Sequence, residues 1–237
     1  MKKIQIIEMG TPPKELFEEH GSYGDWFLQA VEPMETNVIF EKIDVSKTSP
    51  DTMSRADAVI LTGAHEGVYD ELPWRDRFDP LMGKYIETGK HVLGICFSHQ
   101  YLGELMGGKV EYRPENEEEG NITVTLTDEG KRDPLFTGVD RDADFLAAHS
   151  DMVVKPGPGA IHLAANDQVP FQSFRYGDNV RSCQFHPEMS EDISRSIIRT
   201  NEATDERKAS WLKSLDKPHT GAIVMRNFLN IVHGQNL

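Results

Sequence analysis

The residues best suited to chemistry lie in two short segments, His91-Val92-Leu93-Gly94-Ile95-Cys96-Phe97-Ser98-His99-Gln100 and Gln184-Phe185-His186-Pro187-Glu188. Between them they supply a thiol, an imidazole, and a carboxylate two residues beyond that imidazole. A cysteine nucleophile needs a base that holds it as thiolate, and the base needs a partner to orient it. These types and spacings point to cysteine-dependent acyl transfer, with Cys96 attacking, His186 as base and Glu188 orienting the ring.

The run Gly94-Ile95-Cys96-Phe97-Ser98 has the layout of a nucleophile elbow, a tight strand-to-helix turn that exposes its central side chain. Small residues two before and two after the nucleophile let strand and helix approach. Gly94 meets that need fully, and Ser98 meets it approximately. The following helix is expected to begin beside Cys96 and end near Gly107-Gly108. Its amino-terminal dipole favours a thiolate, and the Phe97 N–H points where an oxyanion forms. The plain alternative for Cys96 is a buried core cysteine. His186 and Glu188 read as the end of a strand, where a two-residue period sends both side chains to one face.

Positioning such a site takes a sheet with helices. Ile4–Ile7, Val38–Val45, Ala58–Leu61 and Val92–Ile95 read as short apolar strands. Helices are expected from about Lys14 to Val31 and from Trp74 to Thr88, the latter capped by Gly89. This alternation predicts an α/β fold with a mostly parallel open sheet covered on both faces. Cys96 then falls at the carboxyl end of a strand, where such sheets place their active residues.

The second half predicts additional, antiparallel strands: 121–127, Phe145–Val154, Ile161–Ala164, Val169–Arg175 and Val180–Phe185. The acidic run Glu115–Glu119 reads as a solvated loop. From Ser190 the chain becomes strongly charged, with one or two helices, the last at Ala222–Val232. No repeat or long linker divides it, so one domain over 1–237 with a charged helical tail from about 190 to 237 is expected.

Composition excludes other classes. A net charge of −14 over 237 residues argues against nucleic acid or an anionic membrane surface as partner. No run approaches the roughly 20 apolar residues of a membrane helix, and the amino terminus reaches Glu8 before a signal-like stretch forms. Two cysteines, 96 and 183, make no disulfide framework, and a reactive thiol needs reducing surroundings, so a cytoplasmic location is expected. Cys183 reads as core packing. His65 and His99 read as near the site in sequence only. No closely spaced zinc ligands and no phosphate-binding loop occur, so neither metal nor cofactor is expected.

The two segments resemble the class I, triad-type glutamine amidotransferases, whose glutaminase domains carry Gly-x-Cys-x-Gly-His-Gln and a later His-Pro-Glu. Ser98 replaces the second elbow glycine. The likeness spans most of residues 1–189. Leu61-Thr62-Gly63-Ala64-His65 resembles the family's oxyanion loop, and Ala148-His149-Ser150-Asp151 the segment bordering its glutamine pocket. The pattern is most similar to stand-alone members akin to the amidotransferase domain of GMP synthetase, a group that includes γ-glutamyl peptidases.

The resemblance implies a flavodoxin-like fold and hydrolysis of glutamine or a γ-glutamyl small molecule through a thioester on Cys96. It implies oxyanion contacts from the backbone near Gly63 and Phe97, and substrate contacts from Gln100, His149 and Ser150. A separate synthetase subunit is a possible ammonia acceptor under this reading. A stand-alone γ-glutamyl peptidase, or a non-enzymatic binding protein on the same scaffold, are the alternatives.

Overall fold

The computed structural model describes residues 1–34 and 37–234. In chain order the first half runs β1 (Lys2–Glu8), α1 (Lys14–His20), α2 (Tyr23–Val31), β2 (Val38–Asp44), α3 (Pro50–Ser54), β3 (Ala58–Leu61), α4 (Arg75–Glu87), β4 (His91–Ile95) and α5 (Phe97–Leu105). The second runs β5 (Lys109–Tyr112), β6 (Glu118–Leu126), α6 (Asp128–Arg132), β7 (Asp142–His149), β8 (Asp151–Lys155), β9 (Ile161–Ala165), β10 (Ser173–Tyr176), β11 (Val180–Cys183), α7 (Glu191–Thr200), α8 (Asp205–Ser214) and α9 (Gly221–His233).

Nine strands form one sheet in the order β2-β1-β3-β4-β11-β10-β9-β6-β7. The block β2-β1-β3-β4-β11 is parallel, and the remainder antiparallel. The α/β expectation holds, with the antiparallel extension supplied by the second half. β5 and β8 pair separately as a two-stranded ribbon.

Alternation along the central strands explains the two covered faces. Ile4, Ile6, Ile60, Leu93 and Ile95 point to one side, where Phe27 of α2 and Val224 and Phe228 of α9 bury them. Ile7, Val59, Leu61 and Val92 point to the other, against Phe78 and Met82 of α4 and Tyr101 and Leu102 of α5. Each such side chain contributes roughly 1.5–3 kcal/mol on burial, so the β3–β4–α5 junction is a rigid place to mount a nucleophile.

Several expectations need correction. The helix over Lys14–Val31 is two helices, because Gly21 adopts φ +78° and Ser22 with Asp25 forms a capping box that restarts the chain as α2. The strand over Phe145–Val154 breaks at Ser150, with β7 joining the large sheet and β8 the ribbon. The strand over Val169–Arg175 begins only at Ser173, past Pro170, which has no N–H for a ladder. His186 and Glu188 lie beyond the end of β11, in a turn around Pro187, so strand alternation is not what pairs them.

The acidic run is not all solvated: Glu118 and Glu119 are the first residues of β6, and both are buried. Residues 191–233 form three helices rather than one or two, and α9 packs into the main core instead of trailing off. Residues 235–237 of the expected tail lie outside the described residues. None of the described helices is long and apolar enough to cross a membrane.

Candidate active site

Cys96 sits between β4 and α5 with φ +51° and ψ −105°, and it alone among described non-glycine residues has a positive φ. Such a conformation costs of order 1–3 kcal/mol and persists only where the surroundings enforce it. Here the Cys96 N–H donates to the Cys183 carbonyl at 2.8 Å, and its own carbonyl accepts from the Gln100 N–H at 3.1 Å. A Cβ on Gly94 would lie 2.5 Å from Leu102 Cδ1 and 2.8 Å from the Ser98 carbonyl oxygen, so glycine is what lets strand and helix close.

Ser98 accommodates its side chain by using it. The buried hydroxyl donates to the Thr62 carbonyl at 2.6 Å, tying the first turn of α5 to the residue before Gly63. Ser98→Gly removes one hydrogen bond, a loss of about 1 kcal/mol, and turnover is expected to fall less than about tenfold. Ser98→Val places a branched carbon against the same carbonyl and leaves that acceptor buried and unpaired. We expect a loss above about 100-fold in kcat/KM, accompanied by a lower Tm. Equal kcat/KM in the serine and valine proteins would show that this contact positions nothing.

The other two chemical groups meet the thiol. His186 Nδ1 lies 2.8 Å from Glu188 Oε1, and both residues are buried. The His186 N–H donates to the Leu146 carbonyl at 2.8 Å, which anchors the turn to β7. Burial opposes a charged ring, but the Glu188 carboxylate and the Cys96 side chain outweigh it and hold the His186 pKa well above its ordinary value. A side chain on Gly63 would come within 3.3 Å of His186 Cε1 and 3.9 Å of Cys96 Cβ, so this glycine faces the pair directly. The thiol sulfur also has the Ala148 carbonyl at 3.8 Å and the Gln184 amide nitrogen at 3.7 Å.

These groups open onto a cleft of about 660 Å³ that Gly63, Phe97, Gln100, His149 and Ser150 also line. Gln100 Nε2 donates to the Asp151 carbonyl at 3.0 Å and to Gln184 Oε1 at 3.2 Å, which fixes this side chain in the cleft wall. His149 Nε2 is 3.0 Å from Glu118 Oε2, and Gln172 and Asn166 donate to the same carboxylate, so His149 is held in place from behind. His65 lines the cleft too, correcting the expectation that it is near in sequence only. His99 is fully buried, packs against Phe174 with the ring planes tilted by 35°, and has its pKa pushed down to about 3 by burial and the neighbouring His149, so it stays neutral. Cys183 is fully buried on β11, and burial drives its thiol pKa up.

Sequence reasoning missed Tyr23 and Glu119. Tyr23 stands near enough that, after burial, the charges of Cys96, Glu66 and Glu188 each raise its hydroxyl pKa. Its place at the start of α2, far along the chain from either motif, carries no signal. Glu119 has a period-2 strand pattern as its only clue. Burial and the neighbouring Glu117 push its carboxyl up to about 8, against the opposing effects of His186 and the Asn201 amide.

A carboxyl raised from 4.5 to about 8 binds its proton more tightly in the folded chain. Stability from this group is therefore full below about pH 4.5 and lost as pH rises through about 8. At about 1.4 kcal/mol per unit the cost reaches several kcal/mol in alkali. Glu119→Gln is expected to raise Tm by roughly 5–10 °C at pH 8.5 and to leave it nearly unchanged at pH 4.5. Parallel melting curves across that range would contradict the assignment.

The family model for glutamine amidotransferase class-I matches residues 15–203. The chain belongs to that family. A GMP synthase [glutamine-hydrolyzing] from Pyrobaculum aerophilum is 34% identical over 211 residues, which is 85% of this class-I amidotransferase chain and 37% of the synthase. Gamma-glutamyl peptidase 5 of Arabidopsis thaliana is 25% identical over 182 residues, 76% of this chain and 72% of the peptidase. In fold, a crystal structure of a glutamine amidotransferase from Thermotoga maritima agrees with a TM-score of 0.75 at 21% identity, covering 98% of this family member and 97% of that one.

Proposed function

We propose that this chain hydrolyses the γ-carboxamide of glutamine, or the amide of a γ-glutamyl small molecule, through a γ-glutamyl thioester on Cys96. The observation that carries the reading is a strained, helix-opening cysteine facing a buried histidine whose far nitrogen is bonded to a carboxylate. Cys96 Sγ attacks the amide carbonyl and forms the C–S bond. Phe97 opens α5, so its N–H has no intrahelical partner, and with backbone near Gly63 it holds the oxyanion.

On collapse the C–N bond breaks, and His186 gives its proton to the departing nitrogen. Water then attacks the thioester, His186 takes its proton, and glutamate leaves as Cys96 is restored. Glu188 fixes the ring orientation through both halves. No cofactor enters either step.

Two relatives support different destinations for the released nitrogen. The GMP synthase extends far beyond the matched region, and if this chain works likewise, a separate synthetase subunit receives ammonia. The likeness to a γ-glutamyl peptidase supports the other destination, in which a γ-glutamyl compound is hydrolysed and its amine is released to water. A thiolate nucleophile also supports a reducing compartment such as the cytoplasm as the place of action. Incubating the protein with glutamine and γ-glutamyl peptides tests the reading, following release of ammonia and amino acids and a glutamyl adduct on Cys96 by mass spectrometry. Absence of both release and adduct would overturn it.

A further inference from the structure

The cleft around Cys96 is unevenly charged. Its described lining includes Glu15, Glu66, Asp70, Glu117, Glu119 and Asp151, and no lysine or arginine. Arg207 of α8 reaches the set from outside the lining, its Nη2 bonding Glu117 Oε2 at 2.9 Å. An acidic wall alone says little, because carboxylates facing water are ordinary. Glu119 is not facing water. It is only 5% exposed, and among the described residues its Oε1 has no hydrogen-bond partner and its Oε2 accepts only a 3.3 Å bond from Asn201 Nδ2.

Strand register shows where this carboxyl lies. In the β6–β7 ladder Glu118 is opposite His149 and Glu119 opposite Ala148, whose carbonyl is 3.8 Å from Cys96 Sγ. Alternation turns Glu118 toward Gln172 and Asn166, and turns Glu119 to the α7 side, where Ile197, Thr200 and Asn201 complete the cleft. The leaving nitrogen must take its proton from His186, so the leaving group extends from the His186 side. Glu119 shares that cleft wall, since it stands opposite Ala148, beside Cys96, and lines the cleft together with His186.

A second feature at the mouth matches the first. Tyr69 and Tyr112 are large side chains exposed at 57% and 59%, and both line the cleft. The Tyr69 hydroxyl donates to Asp151 Oδ1 at 2.8 Å, which leaves its ring presented beside a carboxylate. Aromatic faces next to carboxylates attract cations and offer nothing to anions.

We propose that the cleft selects γ-glutamyl amides whose amine portion carries a second, protonated amino group, and that Glu119 is the residue that reads this charge. The proposal rests on the Cys96 hydrolase reading. An incoming ammonium supplies the partner that the buried carboxyl lacks, while an anionic leaving group meets the like charge of the carboxylate wall beyond His186.

Three γ-glutamyl amides of similar length separate charge from size: those of n-pentylamine, 1,4-diaminobutane and 4-aminobutyrate. Wild-type kcat/KM should be at least tenfold higher for the diamine amide than for the pentylamide, about 1.4 kcal/mol, and lowest for the aminobutyrate amide. In Glu119→Gln the diamine-to-pentyl ratio should fall to within about threefold. Equal rates on all three, or preference for the aminobutyrate amide, overturn the charge selection and leave the hydrolase reading standing. Calorimetry of the same amides with the Cys96→Ala protein reads selection without turnover. No hydrolysis of any amide together with tenfold tighter binding of the diamine amide overturns the hydrolase reading alone. Indistinguishable binding of the three overturns the selection whatever the turnover.

Discussion

Cys96→Ala is expected to abolish amide hydrolysis, with a loss of at least ~10⁴-fold, the scale seen when a nucleophile is removed from a coupled catalytic unit. Cys183→Ala is expected to keep kcat/KM within about threefold and to cost about 1–2 kcal/mol of stability, since it empties a small volume in a fully buried strand. The contrast follows from setting. Cys96 opens a helix at a positive φ beside His186, whereas Cys183 packs under the sheet with Ser173 Oγ at 3.9 Å. A third variant separates chemistry from strain. Cys96→Gly also removes the nucleophile, but glycine tolerates φ +51° without a Cβ penalty. It should therefore be as inactive as Cys96→Ala and more stable than it by about 1 kcal/mol. Full activity in Cys96→Ala, read as ammonia or amine release, would remove the thiol from the mechanism.

What the sequence made legible, and what it hid, divide along physical lines. The elbow could be read because its requirements are local: a small residue at 94, a nucleophile at 96, and a strand and helix on either side. The central strands could be read because burial on both faces leaves short, continuous apolar runs. Glu119 was hidden because charge in sequence signals water, and only the pairing of β6 with β7 and the cover of α7 exclude water from it. The pairing of His186 with Glu188 was anticipated for the wrong reason. It arises from a turn around Pro187 held by the Leu146 carbonyl, not from strand alternation. Ser98 looked like a defect in the elbow because its partner, the Thr62 carbonyl, lies 36 residues away. In each case the missing information is a long-range contact, and the fold that supplies it is the same sheet that local patterns announced.

Within the proposed triad, His186→Ala should be nearly as damaging as loss of Cys96, because the imidazole moves the proton in both half-reactions. Glu188→Gln should retain more activity than His186→Ala, since it keeps a hydrogen-bonding group beside Nδ1 and removes only the charge. The double variant should be little worse than His186→Ala alone, as losses in a coupled unit do not add. The pH profile supplies a sharper readout. Burial works against the charged ring, and the Glu188 and Cys96 charges overcome it, so the His186 pKa is raised. Removing the Glu188 charge lowers that pKa, so the alkaline limb of kcat/KM should move to lower pH in Glu188→Gln. Glu119 is the other carboxyl that feels His186, but no hydrogen bond joins the two. Its Gln variant should therefore leave that limb near its wild-type position. If Glu119→Gln shifts the limb and Glu188→Gln does not, Glu119 is the orienting carboxylate, and the roles of Cys96 and His186 stand unchanged.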